Sequence, residues 1–86
     1  MSEEILIVDD NADIRNIINE LIIDAGYKTR LAANYNQALA EIDKKLPDVA
    51  ILDVKLDKGD NDGIDLLSHI KSKNKDTPVI IISGHA

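Results

Sequence analysis

The sequence predicts an α/β fold in which helices cover both faces of a parallel sheet. Three apolar runs, at residues 5–8, 49–52 and 79–82, have the length of strands and no alternation of polar and apolar side chains, which is typical of strands buried on both faces. Apolar residues between these runs recur at helical spacing. Strands that alternate with helices connect through right-handed crossovers, so we expect a doubly wound parallel sheet.

The first half of the chain predicts a strand, a helix and a second strand. Residues 5–8 form the first strand, Asn11 is placed to cap the helix that follows, and Gly26 is placed to end it. Residues 27–32 form a short and more polar strand, as expected at the edge of a sheet. The apolar stripe predicted for the helix comprises Ile14, Ile17, Ile18, Leu21 and Ile22.

The second half repeats this alternation and completes the order β-α-β-α-β-α-β. A second helix ends before Pro47, and residues 49–53 form the third strand. A polar loop over residues 54–63 leads into a third helix that ends near Lys73, and residues 79–82 form the fourth strand. The inward positions predicted for these two helices are Ala38, Leu39, Ile42, Leu46, Leu66, Leu67 and Ile70.

Composition indicates one small domain over residues 1–86 and argues against several functions. Ten Lys and Arg against sixteen Asp and Glu give a net charge of −6, which argues against nucleic-acid binding by this segment because phosphates require clustered cations. Cysteine is absent, which is typical of a reducing cytoplasm. The apolar runs are too short to span a membrane, and the N-terminus lacks the basic and apolar regions of a signal peptide.

Hydrophilic side chains follow three of the predicted strands at the point where each strand ends. Asp9 and Asp10 come after the first strand, Asp53 closes the third, and Ser83 follows the fourth. The carboxyl ends of parallel strands meet at one edge of the sheet, where open α/β folds bind ligands. Carboxylates that are crowded together repel one another unless a cation or protons intervene. Mg²⁺ fits such a site better than Ca²⁺, because it binds through a few carboxylates, retained waters and phosphate.

The residues alone leave two interpretations of this edge open. Each carboxylate can cap a helix or a turn, and Ser83 can satisfy local backbone groups. Alternatively, a carboxylate beside Mg²⁺ can attack phosphorus to form an acyl phosphate, while the Ser83 hydroxyl bonds to a phosphoryl oxygen. Acids at the ends of two separate buried strands favour the second interpretation.

The strands and their polar ends form three motifs in register. These motifs are Ile5-Leu6-Ile7-Val8-Asp9-Asp10, Ile51-Leu52-Asp53 and Ile80-Ile81-Ile82-Ser83-Gly84. Together they resemble the receiver domain of bacterial two-component response regulators, and the resemblance extends over the whole chain. It implies a flavodoxin-like, CheY-like receiver fold.

The resemblance implies a role for each residue of the site. Asp53 would accept a phosphoryl group from a phosphohistidine on a sensor histidine kinase. Asp10, Asp53 and the backbone carbonyl of Lys55 would ligate Mg²⁺, and Asp9 would hold the metal through a water. Ser83 would be the hydroxyl that shifts toward the phosphoryl group on activation. The module would be a phosphoacceptor rather than an enzyme, and it would regulate transcription through output domains.

The loop after Asp53 departs from the common pattern of the family. No Pro follows the acceptor strand closely, and Asp62-Gly63 comes nine and ten residues after Asp53, later than is usual. This longer loop and the ending Ser83-Gly84-His85 look like the NtrX-type nitrogen-regulation subgroup, whose members join a receiver to an ATPase domain and a DNA-binding domain.

Receivers continue beyond the fourth strand, and this sequence does not. The last helix, strand and helix of the family do not follow Ser83, and neither does the Lys of the fifth strand. We therefore expect a fragment of a longer regulator, or a homodimer or larger assembly through the exposed edge of the fourth strand. The alternative function is a receiver-like interaction or dimerisation module that has lost phosphotransfer. A Mg²⁺-dependent phosphohydrolase is disfavoured, because no insertion could bind a substrate.

Overall fold

A computed structural model describes residues 3–82, which form four strands and three helices in alternation. Their bounds are β1 (Glu4–Val8), α1 (Ala12–Asp24), β2 (Lys28–Ala32), α2 (Tyr35–Lys44), β3 (Val49–Asp53), α3 (Asp62–Lys73) and β4 (Val79–Ile82). The element order and the α/β class predicted from the sequence are confirmed. Among the described residues, no helix is both long enough and apolar enough to cross a membrane.

The four strands form one parallel sheet in the order β2-β1-β3-β4. The register pairs Val8 with Leu52 across β1 and β3, and it pairs Asp53 with Ile82 across β3 and β4. The strands therefore end nearly level with one another. The residues that follow β1 and close β3 are brought to the same edge of the sheet.

Helices cover the two faces of the sheet unequally. On one face, α2 and α3 pack onto the alternate side chains of β1 and β3 to form the larger apolar cluster. On the other face, α1 contributes Ile18 and Ile22 to a smaller cluster around Ile5, Ile7 and Ile51. The larger cluster consists of Leu6, Val8, Ala32, Ala38, Ile42, Ala50, Leu52, Leu56, Leu66 and Ile70.

The apolar stripe predicted for α1 is only partly buried. Ile18 and Ile22 contact the sheet, whereas Ile17 is 59% exposed and Leu21 is 64% exposed. The stripe is buried only where the sheet lies opposite it. Ile80 of β4 lies on the same side of the sheet and is 53% exposed. Over residues 3–82, this face therefore keeps an exposed apolar area.

Local signals place the helix ends as expected in most cases. The Asn11 side chain caps α1 by accepting from the N–H groups of Asp13 and Ile14, at 2.9 and 3.1 Å. Gly26 has a φ of +98°, which suits glycine just after a helix. The Asn34 side chain caps α2 by accepting from the N–H of Gln37 at 2.8 Å.

Four boundaries differ from the prediction. β1 begins at Glu4 rather than at residue 5. α3 begins at Asp62 rather than at residue 64, because Asp62 and Gly63 already form its first turn. Leu46 lies beyond the last helical residue of α2, Lys44, although it packs against the larger apolar cluster. β2 begins at Lys28 rather than at Tyr27.

Candidate functional site

Three carboxylates lie together at the carboxyl edge of the sheet. The structure brings one carboxylate oxygen from each of Asp9, Asp10 and Asp53 within 4.8 Å of the others. Asp9 and Asp53 are buried, whereas Asp10 is exposed. The cluster therefore consists of two buried acids at the end of the sheet and one acid that is exposed to solvent.

The two buried acids are fixed by the backbone that follows each strand. Asp9 Oδ1 accepts from the N–H of Asn11 at 2.9 Å, and Asp53 Oδ1 accepts from the N–H of Lys55 at 3.2 Å. The Asp9 carbonyl also accepts from the guanidinium of Arg15 at 2.7 Å. Bonds from an Asp side chain to the N–H two residues on are typical turn bonds. The turn bonds therefore fix both carboxylates, and they engage one oxygen of each, Oδ1.

The loop after β3, over residues 54–61, forms one wall of an open cavity. The cavity has a volume of about 340 Å³ and is lined by Asp10 and residues 55–60. The Lys55 ammonium lies 3.7 Å from Asp60 Oδ1, and both side chains are more than half exposed. Such a surface ion pair contributes little stability. The backbone of Lys55, through its bond to Asp53, is the better fixed part of this residue.

Two further carboxylates hold the loop in place. Asp57 Oδ1 accepts from the N–H of Tyr35 at the start of α2, at 2.9 Å. Asp62 Oδ2 accepts from the N–H groups of Lys58 and Gly59, at 2.8 and 3.0 Å. The sequence alone predicts a role for neither Asp57 nor Asp62. The available signal was the density of Asp, Asn and Gly in the loop, which indicates side-chain bonds to local backbone but not their partners.

Gly63 allows α3 to begin directly against the end of β3. A Cβ on Gly63 would collide with the carbonyl oxygen of Asp53 and would lie 2.8 Å from Val54 Cα. The Gly63 N–H donates to the Val54 carbonyl at 3.0 Å. The backbone of Asp53 is therefore in contact with the first turn of α3.

The carboxylate cluster fits a hard divalent cation. Its donors are all carboxylate oxygens, and the cavity beside Asp10 leaves room for waters or a phosphate group. The predicted ligands Asp9, Asp10 and Asp53 lie together, and Lys55 follows at the start of the loop. Ser83, predicted as the switch hydroxyl, lies outside the described residues.

Comparison with known proteins identifies the family to which this chain belongs. Residues 5–86 match the model of the response regulator receiver domain. The nitrogen assimilation regulatory protein NtrX of Azorhizobium caulinodans is 41% identical over 85 residues, which cover 99% of this chain and 19% of that protein. Sporulation initiation phosphotransferase F of Bacillus subtilis is also 41% identical over 85 residues, covering 99% of this chain and 67% of that protein.

A solved structure shows the same similarity. The crystal structure of the receiver domain of NtrX from Brucella abortus has a TM-score of 0.83 and 40% identity, with 95% of this chain and 68% of that chain covered. The chain spans about a fifth of the length of its full-length NtrX relative from Azorhizobium. The sheet order, the acids at its carboxyl edge and these similarities agree, and the chain belongs to the receiver-domain family of response regulators, with NtrX receivers among its relatives.

Proposed function

We propose that Asp53 accepts a phosphoryl group from a phosphohistidine of a sensor histidine kinase. The observation that carries this proposal is the convergence of Asp9, Asp10 and Asp53 within 4.8 Å, beside a cavity open to solvent. An Asp53 oxygen attacks phosphorus while the bond from phosphorus to the histidine nitrogen breaks. The nitrogen keeps the electron pair, and the product at Asp53 is an acyl phosphate.

Within this proposal, Asp10, Asp53 and the Lys55 carbonyl hold Mg²⁺, and Asp9 holds it through a water. When bound, Mg²⁺ would neutralise the charge on the transferring phosphoryl group. Ser83 is the proposed hydroxyl partner of that group. The chain's own contribution is positional, because the turn bonds of Asp9 and Asp53 fix both acids before any ligand binds.

We further propose that these residues serve as the receiver part of a longer cytoplasmic regulator of transcription. The support is that NtrX of Azorhizobium is named a nitrogen assimilation regulatory protein and is matched over 19% of its length. In this proposal the chain is a substrate of its kinase rather than an enzyme with a separate substrate. The net charge of −6 argues against direct contact with nucleic acid by this segment.

Phosphorylation by a small donor tests the proposed chemistry. The protein is incubated with Mg²⁺ and acetyl phosphate, and its intact mass is measured. We expect one phosphoryl group per chain and none on Asp53→Asn, while Asp24→Asn, an exposed acid at the end of α1, is modified as the wild type is. An unmodified wild type would contradict the proposal and favour an interaction module without phosphotransfer. Steady hydrolysis of varied phosphate esters would instead indicate a phosphohydrolase.

We also propose that the 86-residue chain associates through the outer edge of β4. Within residues 3–82, no strand pairs with that edge, and Ile80 of β4 is 53% exposed. An unpaired apolar edge is a template for a further strand. Light scattering over a range of concentrations should show a mass that rises with concentration. A monomeric mass throughout the range would contradict this assembly.

A further inference from the structure

Asp62 is a buried carboxylate that binds the loop preceding its own helix. It is the first residue of α3, yet it is only 4% exposed. Its Oδ2 atom accepts from the N–H groups of Lys58 and Gly59, at 2.8 and 3.0 Å. A buried carboxylate is costly unless hydrogen bonds satisfy it. The bonds from Lys58 and Gly59 thus stabilise a single path of the loop over the start of α3.

The same loop carries the main chain of Lys55 past the carboxylate cluster. The Lys55 N–H donates to Asp53 Oδ1 at 3.2 Å. Leu56, the next residue, is 8% exposed and belongs to the larger apolar cluster. Only Asp57 separates this anchored segment from Lys58, which Asp62 holds. The path of the loop is therefore fixed on both sides of Asp57.

The loop depends on the hydrogen bonds to Asp53 and Asp62, because no proline restricts its backbone conformation. It contains no Pro, and it includes Gly59. A loop of this composition has many conformations available when its hydrogen bonds are broken. In most of these conformations, the backbone of Lys55 would not lie beside the Asp53 carboxylate as it does here.

We propose that Asp62 is a positioning residue of the metal site, holding the loop so that the Lys55 carbonyl faces Asp10 and Asp53. The inference rests on the proposed function of the carboxylate cluster. Asp62 itself does not touch the metal. It acts through two backbone N–H groups, in the way that outer hydrogen bonds orient the ligands of metal sites.

Substitution of Asp62 separates its hydrogen bonds from its charge. Asp62→Ala removes both, whereas Asp62→Asn removes the charge and keeps one oxygen that can accept from Lys58 and Gly59. Asp65→Ala is the matched control, because Asp65 is an exposed acid in the same first turn of α3. Each protein is titrated with MgCl₂ alone, and backbone amide shifts are followed by NMR. Folding is checked by thermal unfolding in EDTA.

We expect Asp62→Ala to weaken Mg²⁺ binding by about 10-fold or more, as loss of an outer hydrogen bond does at other metal sites. Asp62→Asn should recover most of the affinity, and Asp65→Ala should keep it. An Asp62→Ala protein that is folded and saturates at the wild-type concentration would overturn the proposal. Equal weakening in Asp62→Asn and Asp62→Ala would also overturn it, because charge rather than positioning would then be responsible.

Amide exchange in the wild type provides a second test that needs no variant. If the Asp62 bonds favour metal binding, then metal binding must favour those bonds to the same extent. Saturating Mg²⁺ should therefore slow hydrogen exchange at Lys58 and Gly59. Unchanged exchange at both amides would overturn the proposal even if Asp62→Ala fails to fold.

The two proposals fail in different ways. A wild type whose amides near Asp10 and Asp53 show no saturable response to Mg²⁺ would overturn the metal site, and the role of Asp62 with it. A wild type that saturates normally, together with an unaffected Asp62→Ala, would overturn only the role of Asp62.

Discussion

Gly63 is the residue at which the backbone of α3 approaches the end of β3. A Cβ at this position would overlap the Asp53 carbonyl and approach Val54 Cα to 2.8 Å. Both neighbours are backbone atoms, so a side-chain rotation cannot relieve the contact. We expect Gly63→Ala to lower the free energy of unfolding by about 1–3 kcal/mol, the usual cost of forcing atoms into a packed site. Urea unfolding measures this change.

Gly59→Ala is the control for Gly63→Ala. A Cβ on Gly59 would meet only Asp62 Oδ1, at 3.9 Å, which is an ordinary contact. We expect a change within about 0.5 kcal/mol, as at other surface sites. Equal losses in the two variants would show that the approach to Asp53 is not what requires glycine at residue 63.

The positions of individual acids were predictable to different extents. Asp9, Asp10 and Asp53 follow apolar runs, and the parallel sheet that those runs predict leads directly to one edge. Asp62 could not be assigned, because the sequence does not show that a helix residue folds its side chain back onto Lys58 and Gly59. A periodic pattern predicts which face of a helix or strand a residue lies on. The bonds from Asp62 to Lys58 and Gly59 depend instead on the path of the loop, which the pattern does not specify.

At the scale of elements, the N-terminus of α1 depends on one side chain. The Asn11 carboxamide oxygen accepts from the N–H groups of Asp13 and Ile14, which have no partners within the first turn otherwise. We expect Asn11→Ala to lower the free energy of unfolding by about 1 kcal/mol. Asn16→Ala, at an exposed position inside α1, should leave stability unchanged or raise it slightly. A neutral Asn11→Ala in the same urea experiment would contradict the cap.

Asp43 of α2 forms a charged contact with α3. Asp43 Oδ1 of α2 lies 2.7 Å from His69 Nε2 and 3.3 Å from Lys73 Nζ, both on α3. The hydrogen bond from His69, and then that from Lys73, holds the pKa of Asp43 below its usual value. Because the folded pKa is the lower one, this stabilisation is complete above the unfolded value of about 3.9 and is lost as the pH falls through the folded pKa.

Asp43→Asn tests this pH dependence. The variant should unfold at a lower urea concentration than the wild type at neutral pH, and the difference should shrink as the pH falls below about 4. Asp24→Asn, which removes an exposed acid from the end of α1, provides the comparison. A difference for Asp43→Asn that stays constant from neutral to acid pH would contradict a charged contact between the helices.

The elements themselves were largely predictable, and their exposure was not. Within residues 3–82, apolar runs predicted β1, β3 and β4, a short and more polar segment predicted β2, and helical spacing predicted the three helices. The same spacing placed Ile17 and Leu21 on the apolar stripe of α1, yet both are more than half exposed. Periodicity identifies the apolar side of a helix, but it does not tell whether enough of the protein lies opposite to bury that side.

At the scale of the whole molecule, stability should depend on the sheet face covered by α2 and α3. Leu66 of α3 is fully buried, whereas Leu21 of α1 is 64% exposed. We expect Leu66→Ala to cost about 2–5 kcal/mol, because it leaves a cavity in the larger apolar cluster. The same substitution at Leu21 should stay within about 0.5 kcal/mol. Comparable losses at both positions, measured by urea unfolding, would show that the α1 face is covered in solution.

We expect the carboxyl edge of this sheet to direct a phosphoryl group to Asp53. Borohydride reduces an acyl phosphate, so it converts a phosphorylated Asp into homoserine that peptide mass spectrometry can locate. After incubation with acetyl phosphate and Mg²⁺, we expect homoserine at residue 53, and we expect none when EDTA replaces Mg²⁺. Homoserine at another Asp of the chain, or equal conversion of Asp53 in EDTA, would show that this edge does not direct Mg²⁺-dependent phosphorylation to Asp53.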